Sequence, residues 1–224
     1  MRTWLLIALC TACIFPRQVH GQQLTADDKK QMWQTYIVDA LAATTKGDEL
    51  LGEAIEQNGL IAAPIMRIAH NAVPDAGCQL RGDGQDFARC LENQMPEGTR
   101  TVIEFGTMIE AMSGSFSSLQ RTSDEAEHLI THVSRVALFT QDKSGLRQAL
   151  IAAQAANKKL LAEARTVQVS LTTTTKILVE SSSWKVAPVI PKAARLLKPL
   201  LAQAMVNWED AAGDEKRLLA MPQP

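Results

Sequence analysis

The amino-acid sequence predicts an all-α protein, a bundle of about five to seven helices with one irregular, disulfide-closed loop. Aliphatic residues recur at the 3.6-residue period of an α-helix along most of the chain. Aromatic residues make up only 4% of the 224 residues, so the core must be built mainly from aliphatic side chains. Glycine and proline interrupt the periodicity over residues 71–100, which we expect to be the main irregular region.

The chain begins with a segment that is typical of a secretory signal peptide. Arg2 supplies a positive start, residues 4–15 form a short apolar run, and a small-residue cleavage pattern ends at Gly21. The run is too short to span a bilayer with about 30 Å of hydrocarbon. We therefore expect residues 1–21 to be removed and residues 22–224 to form one secreted domain, extracellular or, as the alternative, in a bacterial periplasm.

Removal of this segment sets the charge and the cysteine content of the mature chain. It leaves 21 of the 23 basic residues against 24 acidic ones, so no strongly basic surface predicts a nucleic-acid partner. Cys78 and Cys90 remain, and in an oxidising compartment we expect them to form a disulfide. Alternatively, Cys13 is the attachment site of a bacterial lipoprotein, although Cys10 stands where leucine is usual.

The N-terminal part of the mature chain predicts three short helices. Residues 25–28 form a capping box at the start of the first helix, and Gly47 is predicted to end it. The second helix is predicted to end near Asn58, which precedes a glycine. Pro64 suits the first turn of a third helix, which Pro74 is predicted to end.

Two helices are predicted after the irregular region. Apolar residues at helical spacing indicate the first over residues 102–116, although its start at 101–105 could also be a strand. Thr122 and Glu125 form a capping box for the second, which is predicted to end at residues 142–145. Acidic clusters in this helix and at residues 48–56 are interpreted as helix starts and exposed faces.

The longest helix is predicted over residues 146–181. Its apolar residues alternate steps of four and three, the heptad spacing that lets one helix pack along another. Residues 167–178 also alternate as a strand would, but the helical pattern continues over more turns. A last amphipathic helix is predicted over residues 192–207.

The most specific motif is the tripeptide Arg81-Gly82-Asp83, inside the loop that the disulfide would close. Integrins bind Arg-Gly-Asp by pairing the arginine with an acidic groove and the aspartate with a bound metal ion, so the tripeptide must project from an exposed turn. A tethered loop supplies this exposure and loses less conformational entropy on binding. Integrin adhesion is therefore one hypothesis, and an ordinary solvated loop is the alternative.

His128 and His132 lie four residues apart on a predicted helix. This spacing allows two imidazoles to bind one zinc or copper ion, with Asp124 or Glu125 as an oxygen ligand. No glutamate follows His128 directly, so the zinc-protease motif is absent. An exposed polar helix face would give the same pattern, and metal binding is kept as an alternative function.

The last amphipathic helix has the pattern of a helix that lies in a membrane interface. Lys192, Arg195 and Lys198 share one face, opposite an aliphatic face that tryptophans flank. The same pattern suits a helix packed on a bundle with its basic residues in water. In composition and period the chain is similar to exchangeable apolipoproteins, whose helices open onto lipid. The residues predicted to face lipid are Trp184, Leu196, Leu197, Leu200, Leu201 and Trp208.

The sequence contains no nucleophile elbow, phosphate-binding glycine loop or dinucleotide fingerprint. We therefore predict no enzymatic activity and no cofactor. The sequence predicts a secreted, non-catalytic helical bundle that binds a partner protein or a lipid-like ligand, with peripheral membrane contact as one mode of binding.

Overall fold

The computed structural model describes residues 25–75, 97–139, 143–180 and 189–222, and this part of the chain is almost entirely helical. Its four helices are α1 (Ala26–Asp75), α2 (Glu97–Phe139), α3 (Lys143–Glu180) and α4 (Val189–Ala220). They form a bundle in which α1 and α3 each pack against both α2 and α4. In the described part of the chain, none of the helices is both long enough and apolar enough to cross a membrane.

Side-chain contacts between the helices show that neighbouring helices run antiparallel. Within each pair of helices, the contact positions move towards the end of one helix as they move towards the start of the other. This is the arrangement of an up-down-up-down bundle. The α1–α2 pairs are Thr45–Glu127 and Asn58–Ser113, the α2–α3 pairs are Thr122–Glu163 and Glu125–Lys159, and the α3–α4 pairs are Asn157–Glu215 and Arg165–Glu209.

The predicted aliphatic stripes meet in the core as two clusters of buried side chains. Burying each large aliphatic side chain contributes about 1.5–3 kcal/mol, so these contacts dominate the stability of the bundle. The large cluster includes Leu51, Ile65, Ile109, Phe116, Leu160, Leu171, Leu197 and Trp208. The small cluster, at the end where α1 begins and α4 ends, includes Trp33, Ile37, Ile130, Val133, Leu150 and Leu218.

The start of α1 confirms the predicted capping box. The backbone N–H of Thr25 donates to Oδ2 of Asp28 at 2.9 Å, and the backbone N–H of Asp28 donates to Oγ1 of Thr25 at 3.1 Å. The Thr25 hydroxyl also donates to Oδ2 of Asp28, at 2.7 Å. The hydrogen bonds that Asp28 accepts from this hydroxyl and from the Thr25 N–H lower its pKa. The other end of α1 lies at Asp75, directly after Pro74, as predicted.

The prediction of three short helices before residue 75 is wrong, because α1 is one helix of 50 residues. Gly47 does not end a helix. Its backbone lies against the indole of Trp208, and an added Cβ would overlap the indole ring. Asn58 is buried and donates to the hydroxyl of Ser113 at 2.8 Å. Gly47 and Asn58 both contact a neighbouring helix. The residue types that resembled helix ends are therefore explained by packing between helices.

The prediction of two helices after the irregular region is also wrong, because α2 is one helix of 43 residues. Thr122 lies inside it, and its hydroxyl donates to the Glu163 carboxylate at 2.7 Å. Glu125 pairs with Lys159 at 3.1 Å instead of capping a helix. The strand alternative for residues 101–105 is wrong as well, since α2 includes them.

The remaining helices agree more closely with the sequence. Residues 167–178 are helical, as predicted, and α3 as a whole has 38 residues, so that α1 and not α3 is the longest described helix. The last helix is longer than predicted, since α4 continues to Ala220. The described residues thus form four helices rather than five to seven, because two predicted breaks are absent from α1 and one from α2.

Candidate functional site

Several of the predicted site residues lie outside the described residues. These are Cys78 and Cys90, the tripeptide Arg81-Gly82-Asp83, Trp184 and the signal segment 1–21. The disulfide, integrin adhesion and export therefore stay predictions.

His128 and His132 are both exposed on α2, one helical turn apart. The oxygen ligands suggested for them are engaged elsewhere, Glu125 with Lys159 and Asp124 with the side-chain amide of Gln120 at 2.7 Å. Among the described residues, no group of three or more His, Cys, Asp or Glu side chains could hold a metal ion. The two histidines thus gain no third ligand from this part of the chain.

Of the residues on α4 that are predicted to face lipid, some are buried in the core and one is exposed. Leu197, Leu201 and Trp208 are fully buried in the large cluster, and Leu200 packs against it. Leu196 is 42% exposed. The aliphatic face of α4 therefore packs on the bundle, and its contact with lipid would require α4 to leave the core. In the closed bundle Leu196 is the described member of this set that solvent reaches most.

A layer of polar residues crosses the bundle between the two clusters. We call Asp48, Ser123, Asn157, Trp208 and Glu215 the polar layer. Oδ1 of Asp48 accepts hydrogen bonds from the Ser123 hydroxyl and from Nε1 of Trp208, the latter at 3.0 Å. Nδ2 of Asn157 donates to the Trp208 carbonyl at 3.3 Å and to Oε2 of Glu215 at 3.4 Å. The hydrogen bonds thus link all four helices.

Burial changes the acid–base chemistry of this layer. Desolvation raises the pKa of Asp48 to about 6, and the hydrogen bonds from Ser123 and Trp208 oppose the rise. Desolvation likewise raises the pKa of Glu215 to about 7, against the hydrogen bond from Asn157. Both carboxyls therefore change charge near neutral pH, whereas an exposed carboxyl is ionised well below it.

Two oxygen atoms of the polar layer are buried without a hydrogen-bond partner among the described residues, Oδ2 of Asp48 and Oδ1 of Asn157. A buried polar atom without a partner costs about 1–3 kcal/mol. The layer is thus less stable than the aliphatic clusters on either side, and its carboxyls lack a bonded cation in the described part of the molecule.

An open groove of about 300 Å³ lies on the surface between α3 and α4. Its apolar lining comes from Val179, Ala194 and Pro199, together with the methyl-bearing side chains of two threonines. Its charged residues are Lys176, Glu180, Arg195 and Lys198. We call this surface the basic groove.

The three basic side chains of the basic groove are exposed. No described residue forms a salt bridge with Lys176, Arg195 or Lys198. The groove also holds one carboxylate, Glu180, so its charge is positive overall. The arrangement combines an apolar surface with free positive charge, which suits a ligand with an apolar body and an acidic head.

A groove of opposite character lies between α1 and α4. It has a volume of about 420 Å³ and is lined by Asp39, Glu209, Asp210 and Asp214. The one basic residue there, Arg217, pairs with Asp214 at 2.6 Å and lies 5.7 Å from the centre of the Tyr36 ring. Its cation is therefore already engaged, unlike the three in the basic groove.

Sequence reasoning found part of each site. The sequence predicted that Arg195 and Lys198 share one face of the last helix. It did not predict that Lys176 of α3 lies beside them. It interpreted Asp48 as part of an exposed acidic cluster, and this was wrong. A usable signal was present, because Glu215 follows Trp208 and Ala211 at core spacing on α4, where a charged residue is unusual.

The described residues form an antiparallel four-helix bundle with an internal polar layer and a basic surface groove. No family model matches the chain, and neither a curated protein nor a solved structure matches it.

Proposed function

We propose that this protein is exported and acts by binding, without catalysis, and that its ligand is a lipid-like molecule with an acidic head, a long-chain carboxylate. The observation that carries the proposal is the basic groove, in which three cations without an ion-pair partner among the described residues lie beside an apolar surface. Residues 1–21 support export, since they have the composition of a signal peptide.

The lining of the groove favours an apolar ligand body. Ala194 is 1% exposed and Val179 packs against the large cluster, so the base of the groove is continuous with the aliphatic core. The volume of about 300 Å³ lies at the lower end of the range for small-molecule sites, about 300–1,000 Å³. The groove is open to solvent, so a chain bound there would contact the protein along one side only.

The charges of the groove favour an acidic head. A carboxylate that pairs with exposed cations gains a modest free energy, because water screens the pair and the long side chains lose freedom. Three cations beside one apolar surface add to this gain, and none has to leave an existing partner in the described part of the chain. The apolar contact supplies affinity and the charges supply selectivity for an acid.

Binding is favoured over catalysis by the position of the titratable groups. The two carboxyls whose pKa values lie near neutrality, Asp48 and Glu215, belong to the polar layer between the core clusters. Neither lines the basic groove. A ligand in the groove would therefore meet three cations and the exposed carboxylate of Glu180, and neither of these two carboxyls.

A titration with cis-parinaric acid, a fluorescent long-chain carboxylate, tests the proposal. The double variant Arg195→Glu/Lys198→Glu should bind at least tenfold more weakly than the unmodified protein, a loss of about 1.4 kcal/mol or more. The matched control is Arg147→Glu/Lys216→Glu, which makes the same charge change on exposed residues outside the groove and should keep the affinity. Equal affinity for all three proteins would exclude the groove, and equal weakening by both variants would show an effect of net charge alone.

A second arm separates a single bound lipid from a membrane surface. Vesicles that contain phosphatidylglycerol should leave most of the protein in solution, because the aliphatic face of α4 is buried. If the protein sediments with the vesicles and Leu196→Asp abolishes this, while cis-parinaric acid does not bind, the function is membrane attachment instead. Leu196 suits this test because it is exposed, so its substitution leaves the core intact.

The second candidate, a partner protein, is favoured by one observation. Leu60 on α1 and Leu196 on α4 are 48% and 42% exposed, and the antiparallel register set by the Asp48–Trp208 hydrogen bond brings them level with each other. This candidate would be favoured if a partner protein copurified with the unmodified protein but not with Leu60→Glu, and if neither protein bound the fatty acid.

Export has its own test. Protein recovered from outside the producing cell should begin at Gln22, and Cys78 and Cys90 should be joined. N-terminal sequencing and thiol titration before and after reduction measure both properties. An intact Met1 with two free thiols would contradict export.

A further inference from the structure

The polar layer has a feature that ligand binding in the basic groove does not use. Two carboxyls from different helices lie at the junction of the two core clusters. Glu215 of α4 is buried, and Asp48 of α1 is half-buried with its Oδ2 atom enclosed. Both are connected to Trp208, Asp48 through the indole N–H and Glu215 through the side-chain amide of Asn157. A change in the charge of either carboxyl would therefore alter the hydrogen bonds around the same residue, Trp208 of α4.

The local packing shows how closely the layer is fitted. The indole of Trp208 lies directly on the backbone of α1 at Gly47, where a side chain would overlap it. Trp208 is fully buried, and Oδ2 of Asp48 lies beside it without a hydrogen-bond partner. An ionised carboxylate at this position leaves negative charge on an atom that receives no donor from the described residues, and a proton removes that charge.

We propose that the polar layer is a pH-dependent switch, in which protons on Asp48 and Glu215 keep α4 closed against the bundle and their release loosens α4. The switch would act through the fold and does not depend on what the basic groove binds. A change from an acidic to a neutral or alkaline compartment is the signal that would operate it.

The charged groups around the two carboxyls favour this direction of change. Glu127 and Asp124 of α2 raise the pKa of Asp48 further by repulsion, after the larger effect of desolvation. Lys158 of α3 opposes the shift at Glu215, but it is exposed and its effect ranks last among the causes. On α4 itself, Lys216 directly follows Glu215 and is exposed, and Arg217 is paired with Asp214.

The sign of the pH dependence follows from the direction of both shifts. Each carboxyl binds its proton more tightly in the folded protein than in the unfolded chain, so acid favours the folded state. The stabilisation is complete below pH about 4 and is lost as the pH rises through about 6 for Asp48 and about 7 for Glu215. Most proteins with ion-paired carboxylates behave in the opposite way over acidic pH.

Guanidinium unfolding of the purified protein between pH 5 and pH 8 tests the switch. Because each pKa unit corresponds to a tenfold change in the equilibrium constant, Glu215 should raise the unfolding constant on the order of 100-fold over this range and Asp48 on the order of tenfold. Glu215→Gln and Asp48→Asn mimic the protonated groups, so each variant should lose its own share of the pH dependence. Their combination should be nearly independent of pH.

The control variant is Glu56→Gln, which removes an exposed carboxyl on α1 and should keep the full pH dependence. Hydrogen exchange of the unmodified protein gives a second measurement that needs no variant. After correction for intrinsic rates, the amides around Trp208 should open more often at pH 8 than at pH 5, and those at the middle of α2 should change less. A pH-independent unfolding constant, a slope that survives in both variants, or uniform opening of all helices would each overturn the proposal.

Discussion

The polar layer and the basic groove place charged groups in opposite situations. In the layer, the buried carboxyl of Glu215 and the half-buried carboxyl of Asp48 accept hydrogen bonds from several helices. They have no bonded cation in the described part of the molecule. In the groove, three cations face solvent beside an apolar surface. A charged group that is removed from water changes the stability of the fold. A charged group that is exposed and has no partner can instead pair with a ligand. Substitutions in the layer should therefore change stability, and substitutions in the groove should change binding.

The largest effect on stability is expected for Trp208→Ala. This change removes a fully buried side chain and leaves a cavity, and it also removes the indole donor from Asp48. We expect the free energy of unfolding to fall by about 3–5 kcal/mol, measured by guanidinium unfolding at pH 5. A loss below about 1 kcal/mol would mean that Trp208 does not hold the layer together.

A smaller loss is expected for Gly47→Ala, and Gly59→Ala is its matched control on the same helix. Alanine is favoured over glycine inside a helix by about 1 kcal/mol, and this gain applies at both positions. At Gly47 the new Cβ would overlap the Trp208 indole, and such overpacking costs about 1–3 kcal/mol or more. At Gly59 no atom lies within 4 Å of the new Cβ. Thermal unfolding should therefore show Gly47→Ala below Gly59→Ala in stability, and the reverse order would contradict the contact.

The contrast between these glycines also explains which parts of the fold the sequence could predict. The capping box at Thr25 and Asp28 is confirmed, but the same spacing at Thr122 and Glu125 lies inside α2, where both side chains contact α3. Gly47 was interpreted as a helix end, because glycine is common both at helix ends and where another chain segment approaches closely. To tell these cases apart one needs the position of Trp208, which is distant in sequence.

The same reasoning applies to the candidate sites. The basic face of α4 follows from helical spacing, but the groove also needs Lys176, and its place depends on the α3–α4 register. Glu215 could have been found from its core spacing on α4. Asp48 was harder to recognise, because its neighbours in sequence are exposed acidic residues.

An intermediate effect is expected for the hydrogen bond between α1 and α2. Asn58→Ala removes the donor to Ser113, and the net contribution of such a bond is about 0.5–1.5 kcal/mol. A double-mutant cycle with Ser113→Ala measures the coupling by guanidinium unfolding. A coupling energy of zero would show that Asn58 contributes by packing alone.

The smallest effect on stability is expected in the groove. Lys176→Ala removes an exposed cation without an ion-pair partner, so the free energy of unfolding should change by less than about 0.5 kcal/mol. The affinity for cis-parinaric acid should nevertheless fall a few-fold, because one of three cations is lost. A large loss of stability in this variant would break the distinction between groove and layer.

The most direct test measures both properties on the same two variants, Arg195→Glu/Lys198→Glu in the groove and Glu215→Gln in the layer. The first should lose fatty-acid affinity at least tenfold and keep the pH dependence of unfolding. The second, compared at pH 5, should keep the affinity and lose most of the pH dependence between pH 5 and pH 8. If both variants changed both properties together, the two regions would not have separate roles and the account would be wrong.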